Sequence, residues 1–151
     1  MSPIRPLAVC LVMLLVAACS FVETTPPPPT PAGFQGIAGE FVKHGIQVGR
    51  SVSGDPGCDD KTLAPTAIAL DAMGLDQATK VRIYLYAFRD RATFERLRSS
   101  VDACARAYVT DPSTYESVEA SPFVMAGQGP WAAGFKTALR QSLQSAAGTG
   151  G

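Results

Sequence analysis

The amino-acid sequence predicts an α+β domain, a two-layer sandwich in which three helices pack against a mostly antiparallel sheet of four to five strands. Residues 81–88 form the clearest strand, with apolar or aromatic side chains on both alternating faces. Residues 34–42 and 91–108 instead place their apolar side chains at helical spacing. Helices and strands in this order suit a sheet with helices on one face, of which a ferredoxin-like arrangement is one candidate.

The predicted elements span residues 34–147. Phe34, Ile37 and Phe41 lie on one face of the first helix, and Gly45 is placed to end it. The next elements are a strand at 46–52, a loop at 53–62, strands at 67–73 and 81–88 joined by a loop at 74–80, and a helix at 91–108 capped by Asp90. Short strands at 115–120 and 123–126 precede a last helix with Pro130 in its first turn, and residues 148–151 are expected to form a flexible tail.

Charge and residue types restrict the function classes. The 151 residues contain 13 Lys and Arg and 13 Asp and Glu, so the formal net charge is zero. A chain without net positive charge has no strong electrostatic field to attract a polyanion, and nucleic acid is therefore not an expected partner. His44 is the only histidine, which argues against a zinc site and against a histidine base for a nucleophile. We expect no cofactor, no metal and no catalytic set.

Residues 1–18 have the layout of a secretory signal peptide. Arg5 precedes an apolar run over 7–18, which is shorter than the roughly 20 residues of a membrane-spanning helix. The run ends in Val16, Ala17, Ala18 and Cys19, and these four residues resemble the lipobox of bacterial lipoproteins.

The lipobox resemblance implies cleavage before Cys19 and acylation of its thiol with diacylglycerol. The new amine of Cys19 can carry a further fatty acid such as palmitate, and two or three acyl chains make a stable membrane anchor. Two alternatives remain open. One is an ordinary signal peptide cut after Ala17 or Ala18, and the other is an uncleaved anchor.

Residues 19–33 are expected to connect the anchor to the domain. The stretch 23–33 reads ETTPPPPTPAG, and its prolines exclude it from a helix or a sheet interior. It should extend as polyproline II at about 3.1 Å per residue, and so act as a spacer of roughly 30 Å. A ligand for a proline-binding module is the alternative use.

Cys58 and Cys104 are predicted to form a disulfide. Cys10 lies in the segment that is removed and Cys19 is acylated in the lipoprotein interpretation, which leaves two cysteines in an oxidising compartment. The alternative is two free, buried thiols.

Two segments are candidates for ligand binding. Gly127, Gln128, Gly129 and Trp131 lie just before the predicted last helix, where glycines expose backbone N–H groups to an anion. The segment lacks the pattern of a phosphate-binding loop, and turn geometry with Trp131 in the core is the alternative.

The second candidate is the aromatic face of the strand at 81–88. Tyr84, Tyr86 and Phe88 alternate along that strand. Such a face can line a groove for sugar, peptide or lipid, or it can be covered by a helix.

The sequence therefore predicts a lipid-anchored extracytoplasmic protein of the cell membrane or cell envelope, acting as a non-enzymatic binding or interaction module. Its expected partners are the membrane, through the anchor, and an envelope protein or a small ligand. A small cell-envelope hydrolase and a purely structural envelope protein are the alternatives. Residues 34–147 broadly resemble small extracytoplasmic lipoprotein domains, and that resemblance implies no activity.

Overall fold

The computed structural model describes residues 33–148. The predicted signal peptide, Cys19, almost all of the spacer and residues 149–151 lie outside this range. The elements in chain order are α1 (Phe34–Lys43), β1 (Gln47–Ser53), β2 (Ala67–Gly74), β3 (Gln77–Ala87), α2 (Arg91–Ala105), β4 (Tyr115–Ala120), β5 (Phe123–Gln128) and α3 (Ala133–Ala147), with short 3-10 helices at Ala64–Thr66 and Pro112–Thr114.

The strands form a five-stranded sheet in the order β1-β2-β3-β5-β4, and every neighbouring pair is antiparallel. β3 is the central strand and the longest, with 11 residues. β1 is an edge strand and carries a bulge between Val48 and Ser51. The predicted α+β class, with helices that pack on an antiparallel sheet, is confirmed.

The sheet is covered on both faces because β3 and its neighbour β5 carry buried apolar side chains on both sides. The first core contains Ile83 and Leu85 of β3 and packs against α1 and α3. The second contains Tyr86 and Phe88 and packs against α2 and Leu63. We expected the helices on one face, whereas α2 lies on the opposite face from α1 and α3. Strands with two apolar faces need cover on both.

Several predicted boundaries differ from the observed ones. The loop expected at 74–80 is a two-residue turn, because Gly74 already pairs with Gln77 and β3 continues through exposed residues. α2 ends at Ala105, three residues before the predicted end. Pro130 was expected in the first turn of the last helix, but α3 begins at Ala133.

The ends of the helices otherwise follow their local sequence. Gly45 adopts φ 77° just after α1, as expected of a residue that ends a helix. Asp90 caps α2 as predicted, and its side chain accepts a hydrogen bond of 2.7 Å from the backbone N–H of Thr93.

The start of α3 is determined by the β2–β3 turn. The Asp76 carboxylate accepts hydrogen bonds of 2.8 Å from the backbone N–H groups of Gly134 and Phe135. The Gln77 side chain accepts another, of 3.0 Å, from Ala132. The hydrogen bond from Gly134 holds the pKa of Asp76 below its usual value. A residue distant in sequence therefore supplies the cap of this helix.

We predict that Asp76→Asn lowers the urea midpoint of unfolding at pH 7. A carboxyl group whose pKa is depressed in the folded state stabilises the protein above its ordinary pKa, and that contribution is lost as the pH falls through the lowered value. The difference between wild type and variant should therefore shrink below about pH 4. Trp131 fluorescence and far-UV circular dichroism would follow the transition.

Asp59→Asn is the matched control. Asp59 is exposed and forms no hydrogen bond or ion pair with the residues that the structure describes. Its substitution should leave the midpoint unchanged. Equal midpoints for wild type and Asp76→Asn at pH 7 would contradict the capping role.

Candidate functional site

The aromatic face predicted on β3 is present, but residues 54–63, which we call the 54–63 loop, cover part of it. Tyr86 is fully buried, and its hydroxyl donates a hydrogen bond of 2.7 Å to the carbonyl oxygen of Pro56. Gly57 has φ 79°, and a Cβ there would lie 2.5 Å from the ring of Tyr108 and 2.7 Å from that of Tyr84. Only glycine fits this close contact of backbone and rings. The expected groove is therefore filled by the chain itself.

The predicted disulfide between Cys58 and Cys104 is confirmed, and it fastens the 54–63 loop to α2. The two Cα atoms are 5.5 Å apart, within the usual range for a disulfide. Cys104 points inward from α2 and is 5% exposed. Its sulfur lies 3.0 Å from the carbonyl oxygen of Pro56, in a close contact without a hydrogen bond because a disulfide sulfur has no proton to donate.

The four tyrosines of the chain all belong to this second core. The rings of Tyr84 and Tyr108 stack with centroids 4.2 Å apart. Burial raises the pKa of Tyr86, Tyr108 and Tyr115, so these phenols stay protonated at neutral pH. The Tyr108 hydroxyl is buried without a hydrogen-bond partner among residues 33–148.

A cavity of about 200 Å³ opens at the C-terminal end of α2. Its lining residues are Asp102, Ala105, Arg106, Val109, Pro112 and Tyr115. Most of this lining is apolar, and polar groups are few. The cavity is smaller than the roughly 300–1,000 Å³ of a typical small-molecule pocket. Its size suits one apolar side chain or a group of similar volume.

The polar side of the cavity is held in place by hydrogen bonds. Asp102 accepts bonds of 2.7 Å from the Tyr115 hydroxyl and from the Arg98 guanidinium. Arg98 also donates to Glu119 on β4. Arg106 lines the cavity and forms no ion pair within the described part of the chain. The cavity thus has a fixed acidic group and a cation that remains available to a partner.

The segment with Gly127 and Trp131 does not open a helix. Gly127 lies in β5, and a Cβ there would lie 2.7 Å from the Arg82 carbonyl oxygen and 3.0 Å from the Trp131 ring. Trp131 is 5% exposed and packs edge-on against Phe135, with ring centroids 6.4 Å apart. These residues serve the first core, and the Asp76 carboxylate already occupies the N-terminus of α3.

Gln128 and Gly129 also make contacts within the chain. The Gln128 side-chain oxygen accepts hydrogen bonds of 3.2 Å from the backbone and the hydroxyl of Thr110. The Gly129 N–H donates a bond of 2.7 Å to the Thr114 carbonyl oxygen. Both residues therefore connect the end of β5 to the connection between α2 and β4.

No group of three or more His, Cys, Asp or Glu side chains in the range 33–148 could hold a metal ion. In the same range no helix is both long enough and apolar enough to cross a membrane.

The chain matches no protein-family model, no curated protein and no solved structure.

Sequence reasoning missed the cavity at α2. Ala105 and Val109 are four residues apart near the C-terminal end of α2, but Pro112 and Tyr115 join them only because the chain turns back to begin β4. Arg98 and Asp102 stand four residues apart on α2, a spacing at which opposite charges can pair. No sequence signal identified Tyr115 as the partner of Asp102.

We predict that the pair of substitutions Cys58→Ala and Cys104→Ala lowers the free energy of unfolding by up to about 4 kcal/mol, given the loop that the disulfide closes. Tyr86→Phe should cost about 1–2 kcal/mol when the disulfide is present, because the Pro56 carbonyl then lacks its donor. Urea unfolding of these variants would measure both effects.

The two interactions hold the same loop, so their effects should not add. In the disulfide-free protein, Tyr86→Phe is expected to cost less than in the disulfide-bonded protein. Identical costs of Tyr86→Phe in both backgrounds would show that the hydroxyl and the disulfide act independently.

Proposed function

We propose that the protein is a lipid-anchored, extracytoplasmic interaction module, tethered through Cys19 to the cell membrane or envelope. The disulfide is the observation that carries this proposal. It pairs Cys58 with Cys104 inside the folded domain, and Cys19 is the one other cysteine of the sequence beyond residue 18. Structural disulfides are typical of oxidising compartments, where a lipoprotein of this kind folds.

The position of the folded domain also supports a tether. α1 begins at Phe34, directly after the proline-rich stretch 23–33. Phe34, the first residue after the proposed spacer, packs against the first core. The domain would then stand away from the lipid surface with its exposed residues free to meet a partner.

The cavity at the end of α2 is the surface we propose for the interaction. Val109 and Pro112 offer apolar contact, and Arg106 offers a charge that forms no ion pair with residues 33–148. A buried apolar anchor surrounded by polar groups is the usual form of an energetically important contact between proteins. We infer that an envelope protein places one apolar side chain in this cavity, with an acidic group beside Arg106.

The anchor predicts that Cys19→Ser releases the protein from the membrane fraction. The thiol that carries diacylglycerol is then absent, and a single residual interaction does not hold a protein stably on a bilayer. Metabolic labelling with an alkyne fatty acid should label wild type and leave the variant unlabelled.

Cys10→Ser is the matched control, since Cys10 lies within the segment proposed to be removed. This variant should be labelled and membrane-bound like wild type. A labelled Cys19→Ser variant that stays with the membrane would contradict the anchor.

The cavity predicts a localised contact in intact cells. Benzoylphenylalanine at Val109 should form a covalent adduct with an envelope protein after irradiation, because position 109 lines the cavity and lies beside the side chain that the partner places there. Arg106→Glu in the same chain should weaken the adduct through repulsion of the acidic group.

The control position is Gln144, which is exposed on α3 across the sheet from the cavity. Benzoylphenylalanine there should give no adduct with the same protein. Adducts of equal intensity at Val109 and Gln144 would argue against the cavity as the contact.

A further inference from the structure

The turn between β2 and β3 contains an unusual residue. Leu75 has φ 55°, and it is the only residue other than glycine with positive φ among residues 33–148. This conformation favours glycine or asparagine and is uncommon for a bulky side chain. Leu75 is also 60% exposed, so burial in the core does not explain the leucine. An apolar side chain held outward in a strained backbone calls for a function.

A second exposed apolar residue lies beside the same turn. Val42, near the end of α1, is 73% exposed. Both residues border Gly45, whose N–H donates a hydrogen bond of 3.1 Å to the Val42 carbonyl oxygen. A Cβ at Gly45 would lie 3.4 Å from Leu75, and one at Gly74 would lie 2.4 Å from the Gly45 carbonyl oxygen. The turn and the end of α1 are thus in direct contact.

Val42 and Leu75, which we call the apolar tip, are the two exposed large apolar residues of the described chain. The acidic groups next to them already have partners. Asp76 accepts hydrogen bonds from the start of α3, and Glu40 pairs with Lys43 at 2.6 Å. Approach to an apolar medium therefore leaves neither carboxylate without a partner, which lowers the cost of desolvation.

The small size of the apolar tip favours a lipid bilayer over a second protein as its partner. A stable interface between two proteins buries roughly 800 Å² per partner, far more than two side chains supply. A bilayer that already holds the anchor needs much less, because the tether keeps the domain at high effective concentration. The spacer spans roughly 30 Å, whereas Val42 lies about 12 Å along α1 from the point where the spacer joins. The tip can therefore reach the lipid surface.

We propose that the apolar tip inserts into the surface of the bilayer that holds the Cys19 anchor, so that the domain docks in one orientation. This inference rests on the proposed lipid anchor. Val42 belongs to α1, whereas the cavity lies on the α2 side of the sheet. Docking at the tip then leaves the cavity accessible to a partner, and the domain is presented to the envelope in a defined direction.

Quenching by brominated lipids tests the docking. The full-length protein, extracted from its own membrane in mild detergent, would be reconstituted into phosphatidylcholine and phosphatidylglycerol vesicles with and without dibrominated chains. Leu75→Trp should be quenched strongly, whereas wild type reports only Trp131, which is 5% exposed. Gln144→Trp on α3 is the matched control. Its added tryptophan is exposed to solvent and should not be quenched by the brominated lipids.

Val42→Asp in the Leu75→Trp background should reduce the quenching toward the Gln144→Trp level, because a charge at the tip opposes insertion. Unchanged circular dichroism would show that this variant folds. If the protein floats with the vesicles but the fluorescence of Leu75→Trp is quenched no more than that of Gln144→Trp, the docking is overturned and the anchor is left intact. If the wild-type protein forms dimers that Leu75→Asn does not form, and Leu75→Trp is not quenched, the apolar tip contacts a second copy of the chain. That result would also overturn the docking. Protein that fails to float with the vesicles overturns the anchor and this inference together.

Discussion

The structure depends on the disulfide that holds an irregular loop over the aromatic face of the central strand. Tyr84 and Tyr86 would otherwise face solvent, since α2 covers only part of that side. The 54–63 loop contains no strand or α-helix that could hold it in place by a regular hydrogen-bond ladder. It is held by a hydrogen bond to Tyr86, by the close contact of Gly57 with two rings and by the bond from Cys58 to α2. The buried Leu63 and an ion pair between Asp55 and Arg82 of β3 add to these contacts. The covalent bond limits the entropy that this loop regains on opening.

The second core explains why the domain has its particular arrangement of layers. β3 carries apolar side chains on one face and tyrosines on the other, so neither face can be left to water. α1 and α3 cover one side, and α2 with the disulfide-bonded loop covers the other. The aromatic residues that suggested a ligand groove therefore pack in the second core and do not line a groove. Likewise, Trp131 packs in the first core, and Gly127 leaves the space that its ring needs, since a Cβ at Gly127 would lie 3.0 Å from that ring.

The features predicted correctly from sequence are those encoded within a short stretch or by a count. The strand at 81–88, the Asp90 cap and the end of α1 at Gly45 each depend on neighbouring residues, and the cysteine pair follows from which cysteines remain. The start of α3 was misplaced because its cap is Asp76, which is remote in sequence. The short turn before Gln77 was missed because the next residues of β3, 78–80, are exposed and carry no hydrophobic alternation. α2 was placed on the wrong side of the sheet for a similar reason, since local patterns do not specify which face a helix covers.

The surfaces available for function are formed by residues that the core does not need. Residues that stand out by composition, the tyrosines and the glycine–tryptophan segment, are bonded and packed within the chain. Two features have no role in the core and are not marked by a distinctive sequence pattern. They are the cavity between Val109 and Pro112, and the leucine at a turn position that favours glycine. In a small domain most conspicuous side chains are needed to build the core. Function is therefore better sought where a residue weakens local structure without contributing to the core, and Leu75 meets that criterion most clearly.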